Sequence, residues 1–499
     1  MLPLFVVIPL AAAFIISLIG KVYRKAGDIL ANVASLSLLL LSLFALSTLN
    51  SGSSSTLVYK VGGWAGMPPI GIFMVLDGLS SFMLITLNLV SFLVALYSIS
   101  YMEKYTSKYR FYTLLMLMIA GMNGVIISGD MFNLFVFLEI SAIASYALVA
   151  FGTESEELEA SFKYAIMGSV ASCFILLGIA LLYSYTSSLN MATISLVLSE
   201  KGYSHIITFI SILFLMGFGL KAAIVPFHAW LPDAHPSAPA PISAMLSGVV
   251  IKVLGIYVLA RVFFNVIGAS IPILSLLIFL GIISMILGAF LAIGQEDIKR
   301  MLAYSSISQI GYIIFAIGIG TPLALLGGLL HLFNHSIFKS LLFLNSGAIV
   351  YSTGTRDLQE MSGIRERMPT TANTSLIASM SISGIPPLSG FWSKLIIIIA
   401  AIQARYIGLA IIAILISILT LAYYLKLQRY AFFGELNKKW DKIKEVPLPM
   451  KLSMIVLSII CLIGGIILIP QISEFFLKPA VNVLLIGKHY ASFVLGAIK

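Results

Sequence analysis

Cysteine is almost missing from this chain: Cys173 and Cys461 are the two in 499 residues. That scarcity excludes a disulfide framework, an iron–sulfur site and a cysteine-based zinc site, because each needs several thiols at set spacings. Both cysteines lie in apolar runs and read as inert core thiols. Charge is scarce as well. Asp, Glu, Lys and Arg make up 10% of the residues against 60% hydrophobic ones, and a mean hydropathy of +1.06 excludes an ordinary soluble core. No basic region precedes the apolar run 2–19 and no A-x-A-like site follows it, so it reads as a first spanning helix rather than a removed signal. What is abundant is apolar sequence in runs of about 20 residues, the length that crosses a bilayer. The expected fold class is an all-α polytopic membrane protein with about fourteen transmembrane helices.

The net charge of +10 is unevenly placed. On that topology nineteen Lys and Arg fall on one side, from Lys21 to Lys451, and seven on the other, among them Lys60, Lys201 and Arg261. Lys221, Lys252, Lys339 and Lys394 stay within spans. The positive-inside rule makes the richer side cytoplasmic and puts both termini outside, as in the plasma membrane of a prokaryote. The basic surplus is thus a topology signal, not a nucleic-acid footprint. β-prone runs around Gly62 and Gly63 predict an external hairpin. The segment before His205 reads as external, and the residues from 471 onward as external or interfacial.

Two spans are interrupted by proline, one within 219–252 around Pro226 and one at SGIPPLSGFWSK. Each holds one lysine, Lys221 or Lys394, and the two breaks lie five helices apart. An odd separation reverses the unit, so the pattern predicts two inverted five-helix repeats, each containing a broken helix. The expected division is 1–110 (helices 1–3 and the hairpin), 111–263 (first repeat, helices 4–8), 264–433 (second repeat, helices 9–13) and 434–499 (basic loop, helix 14 and C-terminal segment).

A cation in the middle of a span costs about 2.5–3.5 kcal/mol on insertion scales, which marks such residues as functional candidates. Desolvated lysine can shed its proton, whereas arginine cannot, and all four cations assigned to spans are lysines. Glu139 is the one carboxylate read as buried mid-span and is expected to face Lys221. Their pairing keeps Lys221 protonated and its weakening favours proton release; the alternative is a structural salt bridge. Lys252 reads as the next relay residue, or as a lysine snorkelling to the surface. His331, His335 and Lys339 recur every four residues and share a helical face. The histidines can take and pass a proton near neutrality, or simply satisfy neighbouring helices; they lack the further ligands of a metal site. Lys339 reads equally as a snorkelling anchor, and Lys394 as a residue passing the proton toward one surface. Asp233 and His235 read as capping and loop residues. Ser305, Ser306, Ser308 and Gln309 bond neighbouring helices or line a wet path. No cofactor and no metal is expected.

The segments MFNLFVFLE, KAAIVPFHAWLPDAHPSAPAPISAMLSGVVIK, QEDIKRMLAYSSISQIGY, HLFNHSIFKSLLFL and SGIPPLSGFWSK occur in this order. Together they resemble the antiporter-like subunits shared by respiratory complex I, Mrp-type cation/proton antiporters and energy-converting membrane-bound hydrogenases, over about 130–394. The resemblance implies fourteen helices in two inverted repeats and a line of charged residues across the membrane midplane. By position it implies Glu139 and Lys221 as a coupling pair, Lys252 as the bridge, His331 and His335 as the central relay and Lys394 as the terminal lysine. Some members carry glutamate where Lys394 stands, so this chain is of the lysine type. Some end in a long lateral helix, for which the stretch after Ser473 is too short. The finer likeness is to subunits of archaeal membrane-bound hydrogenase, its sulfur-reducing relative, or the Mrp D-type subunit. The implied partners are lipid, other membrane subunits including further antiporter-like ones, protons and sodium. The rival expectations are a self-sufficient secondary transporter of a small solute, a Na+/H+ exchange subunit, or a scaffold whose charges are structural.

Overall fold

The computed structural model describes residues 1–23, 25–51, 56–63, 71–202 and 204–497. Helices α1 (Leu4–Ile19) and α2 (Ala26–Ser51) lead into a two-stranded antiparallel hairpin, β1 (Leu57–Lys60) and β2 (Phe73–Leu76), with Leu57 opposite Leu76. Then come α3 (Gly78–Tyr101), α4 (Lys108–Ile127), α5 (Met131–Val149), α6 (Ser155–Thr186) and the short α7 (Met191–Lys201). The first broken span is α8 (His205–Lys221) and α9 (Leu231–Ser237), followed by α10 (Ala240–Val266), whose turns are largely π-helical. Next are α11 (Ile271–Ile293), α12 (Ile298–Ile319) and α13 (Pro322–Thr353). The second broken span is α14 (Pro369–Ser383) and α15 (Ser389–Gln403), followed by α16 (Ile407–Phe432) and α17 (Leu448–Ile463). Three short helices close the chain: α18 (Pro470–Phe476), α19 (Lys478–Ile486) and α20 (Tyr490–Gly496).

Among the described residues, ten helices are long and apolar enough to cross a membrane. With α1, the polar 32-residue α13 and the two broken pairs, they make the fourteen-segment all-α fold that the sequence predicts. The inverted repeat shows in the backbone. The Asp130 side chain caps α5 by accepting from the Asn133 N–H, and Asp297 caps α12 by accepting from that of Arg300, which satisfies a free donor at each helix start. Each cap residue also forms an antiparallel bridge to the chain beyond the next helix, Asp130 to Asn190 and Asp297 to Asp357. That next helix is 32 residues long in both units. An odd number of crossings separates the units, so the two bridges lie at opposite membrane faces.

Burial follows the repeat axis. α10 is buried along its whole length and α12 nearly so, whereas α2, α6, α16 and α17 turn apolar side chains such as Phe44, Phe162, Ile418 and Leu462 outward. The outer belt suits hydrocarbon and the interior holds the polar groups, since protein must satisfy them where water cannot.

Two segments that the sequence leaves without detail are structured, and two residue expectations change. The segment before His205 contains α7, capped by the Asn190 side chain on two backbone N–H groups. The C-terminal helices pack on the bundle: the Asn265 amide donates to the Val483 carbonyl (2.6 Å). Arg261 belongs to no external loop; it is buried in α10 and forms a two-pronged pair with Asp77 at 2.7 and 2.8 Å. Its charge is tolerable there because α3 delivers a carboxylate of matching geometry. Cys461 is buried as expected, but Cys173 is exposed on the outer face of α6.

Candidate functional site

The site is built on the two helix breaks. α8 stops at Lys221; Ala223 then takes a left-handed backbone (φ 55°) and Val225–Pro226 is a cis peptide. α14 stops at Ser383; Gly384 is left-handed (φ 82°) and Pro386–Pro387 is cis. In both, the left-handed residue stands three positions before the cis proline. Both breaks find partners for the freed backbone groups, as membrane depth requires. The Trp230 indole N–H donates to the Leu220 carbonyl (3.1 Å) and the Val225 N–H to the Ser284 hydroxyl (3.0 Å). The Trp392 indole donates to the Pro387 carbonyl (3.2 Å), and the Asn334 amide to that of Ser389 (2.8 Å). Lys221 precedes its break whereas Lys394 follows its own, so the lysines are not in equivalent positions of the repeat.

At the first break, Lys221 Nζ lies 3.5 Å from Glu139 Oε1 and donates to the Tyr146 hydroxyl at 3.2 Å. The Ser172 hydroxyl donates to the same carboxylate oxygen. Lys221 is buried, but 26% of the Glu139 side chain is exposed, so the carboxylate that the sequence reads as buried opens onto the outer face of α5 and α6. Tyr146 packs edge-on to Tyr164, which stacks on Trp230 at 4.1 Å. The ion pair and the break are thereby one packed unit.

Lys252 is fully buried in α10 and its ammonium bonds the Ser247 carbonyl. It reaches no surface, so the snorkelling alternative does not describe it. The Ser247 hydroxyl meets that of Ser306 on α12 at 2.8 Å. His331 and His335 are fully buried on α13, their rings 6.2 Å apart and nearly parallel. His331 Nδ1 bonds the Ser393 hydroxyl (2.9 Å), while its Nε2 and both ring nitrogens of His335 meet no side-chain or backbone partner among the described residues. His335 lies within the fields of Lys252, Lys339, His331 and Lys394. Lys394 donates to the Ser417 hydroxyl (3.2 Å) and stands 5.0 Å over the Tyr312 ring, whose other neighbour is His331.

Three clusters therefore form, at Glu139 with Lys221, at Lys252, and at His331, His335 and Lys394; among the described residues no direct hydrogen bond joins one to the next. Lys339, which the sequence leaves open as an anchor, is fully buried and donates to the Leu302 carbonyl (2.7 Å) and the Tyr424 hydroxyl (3.2 Å). Its four-residue spacing from His335 was the available signal. Tyr146, Ser172 and Tyr312 carry no sequence signal, because only packing brings them to a charged group. Ser305 bonds Tyr423 and Tyr424, and Ser308 bonds the Met285 carbonyl, so these serines tie helices together.

Residues 128–420 match the family described as NADH:quinone oxidoreductase/Mrp antiporter, TM, and residues 66–112 match NADH-Ubiquinone oxidoreductase (complex I), chain 5 N-terminus. The chain belongs to the NADH:quinone oxidoreductase/Mrp antiporter family. As a member it is an antiporter-like, multi-pass membrane protein. It is 36% identical over 419 residues to the N-type NADH-quinone oxidoreductase subunit of Desulforudis audaxviator, covering 81% of this chain and 83% of that one. It is 34% identical over 435 residues to the D-type Na(+)/H(+) antiporter subunit of Alkalihalophilus pseudofirmus, covering 86% and 87%. Among solved structures it resembles a chain of the Mrp complex from Dietzia sp. (TM-score 0.90, 28% identity). It also resembles a chain of the membrane-bound sulfane sulfur reductase, an archaeal respiratory membrane complex (TM-score 0.89, 29% identity). Each likeness covers 99% of both chains.

Proposed function

We propose that this chain is the proton-translocating subunit of a multisubunit energy-converting complex in a prokaryotic plasma membrane, with both termini external. Its route runs from Glu139 and Lys221 through Lys252 and the His331–His335 pair to Lys394, in the division 1–110, 111–263, 264–433 and 434–499. The observation that carries this reading is the Glu139–Lys221 pair: a buried ammonium whose carboxylate partner is partly open to whatever covers α5 and α6. A neighbouring subunit that changes the charge or contacts of Glu139 alters how tightly Lys221 holds its proton. Lysine can then release to the next neutral group, because desolvation favours its uncharged form. The unpartnered nitrogens of His331 and His335 supply sites that donate and accept in turn. No redox step is assigned to this chain.

The test uses the assembled complex in sealed vesicles. Lys221→Ala and Glu139→Ala are each expected to abolish proton movement without loss of assembly. Unaltered movement in both would overturn the reading. A second reading, Na+/H+ exchange, is favoured by the likeness to the Na(+)/H(+) antiporter of Alkalihalophilus pseudofirmus; sodium flux that stops with proton flux in Lys221→Ala would support it.

A further inference from the structure

The turn between α1 and α2 lies against the start of α4, next to the turn that joins α3 to α4. Gly20 sits so near Tyr109 that a Cβ on it would lie 2.6 Å from the tyrosine Cβ, so the two turns form one surface. Between them opens a cavity of about 680 Å³, lined by Lys21, Lys25, Lys104 and Lys108 and by Asp28 and Glu103. Its acidic side is largely spent. The Asp28 carboxylate pairs with Lys108 Nζ at 2.8 Å and accepts from the Tyr112 hydroxyl at 2.8 Å. With Asp28 neutralised by Lys108, the ammonium groups of Lys21, Lys25 and Lys104 face the single carboxylate of Glu103. Lys104 donates to the Tyr351 carbonyl at 2.7 Å, which holds it in place and leaves its charge uncompensated. Lys21 and Lys25 are exposed, and their ammonium groups bond nothing among the described residues.

The surface leading into this cavity is apolar. Phe14 and Leu18 share one outward face of α1 and are 67% and 79% exposed; Val22, in the turn beside Lys21, is 74% exposed. The ends of spanning helices lie at the level of the lipid headgroups, and their middles in hydrocarbon. A surplus of positive charge at headgroup depth with an apolar strip running from it toward the midplane is the complement of a lipid whose headgroup is an anion.

We propose that this cavity holds the headgroup of an anionic phospholipid, its phosphate between Lys21 and Lys25 and its acyl chains along Leu18 and Phe14. A zwitterionic lipid brings a cation of its own to the three ammonium groups and forfeits the attraction. A soluble phosphate meets the same charges but leaves the apolar strip uncovered. The bound lipid ties the α1–α2 turn to the α3–α4 turn.

The test places the assembled complex in phosphatidylcholine nanodiscs containing a photoreactive phosphatidylglycerol or, for comparison, a photoreactive phosphatidylcholine with the same chains. Cross-linked peptides are then mapped. The phosphatidylglycerol probe is expected to label the stretch 11–25 about tenfold more than the phosphatidylcholine probe. Lys21→Ala combined with Lys25→Ala should abolish that preference and leave the phosphatidylcholine label unchanged, which reports an intact fold. Lys438→Ala combined with Lys439→Ala, at two exposed lysines of the loop before α17, should keep the preference. Inorganic pyrophosphate in excess should not displace the probe. Equal labelling by the two probes would overturn the proposal, leaving annular lipid only. Equal loss in both double variants would overturn it as well, by reducing the effect to general surface charge. Displacement by pyrophosphate would make the cavity a site for soluble phosphate instead.

Discussion

Five of the six Lys and Arg side chains buried among the described residues keep different company. Lys221 has a carboxylate, Lys252 a backbone carbonyl, Lys339 a carbonyl and a phenol, Lys394 a hydroxyl and a ring face, and Arg261 the two-pronged Asp77. A lysine short of acceptors can lose its proton; an arginine cannot, so only the arginine must have an anion. Burial alone raises the Asp77 carboxyl, but the Arg261 charge and the hydrogen bonds from Arg261 and Ser80 outweigh it and hold the group below its usual range. With the folded value lowered, the pair contributes fully above the ordinary carboxylate pKa of about 4 and is lost as pH falls through the lowered value. Arg261→Met strands a buried carboxylate and is expected to cost about 3–5 kcal/mol. Thermal melting in detergent checks this, with the deficit greatest at neutral pH and shrinking on acidification. Ser172→Ala removes one donor to Glu139, worth about 1 kcal/mol. Its expected effect is a roughly fivefold drop in proton flux with assembly intact. In the second repeat, Ser306 stands nine positions beyond its cap aspartate, as Glu139 does beyond its own. The carboxylate is therefore special to the first unit.

The breaks persist because neighbouring elements are packed against them at backbone distance. A Cβ at Gly255 of α10 would lie 2.5 Å from the backbone of Ala222, and one at Gly390 would lie 1.9 Å from the Ser381 carbonyl oxygen. Gly390→Ala is expected to push α15 off α14 and to destabilise by about 1–3 kcal/mol, read as a lower melting temperature. Flux should fall with it, because Ser393 and Lys394 ride on the displaced turn. Ala223 adopts a conformation that glycine takes without strain. Ala223→Gly should accordingly be neutral or mildly stabilising, in contrast to glycine substitutions inside α8.

At the scale of the molecule, α5 and α6 turn apolar side chains such as Phe132, Ile143, Val170 and Leu177 outward, and Glu139 shows 26% of its side chain among them. A carboxylate facing lipid is unfavourable, which makes this the face where another subunit belongs. Cys173, exposed beside Ser172, is a natural reporter of that face, while Cys461 is buried. A spin label at Cys173 should contact oxygen dissolved in the bilayer when the chain is alone and lose that contact in the assembled complex. Equal accessibility in both would place the neighbour elsewhere. At the opposite end, α19 and α20 cover the Arg261–Asp77 pair, with Tyr490 5.5 Å from the guanidinium. The C-terminal segment thus packs over the Arg261–Asp77 pair.

The sequence alone determined the membrane class, the number of crossings and the two breaks. All of these follow from run length and proline placement, which are local properties that hydrocarbon enforces on each segment separately. It also marked Glu139, Lys221, Lys252, His331, His335 and Lys394, since a titratable residue inside an apolar run is costly wherever it ends up. Only the tertiary structure decided their company: the tyrosine beside Lys221, the opening of Glu139 to the outside, the burial of Lys339 and His235, and the union of Arg261 with Asp77. These depend on which helix faces meet across 75 to 184 positions of chain, and apolar packing, being non-directional, leaves no trace of that choice in any single segment.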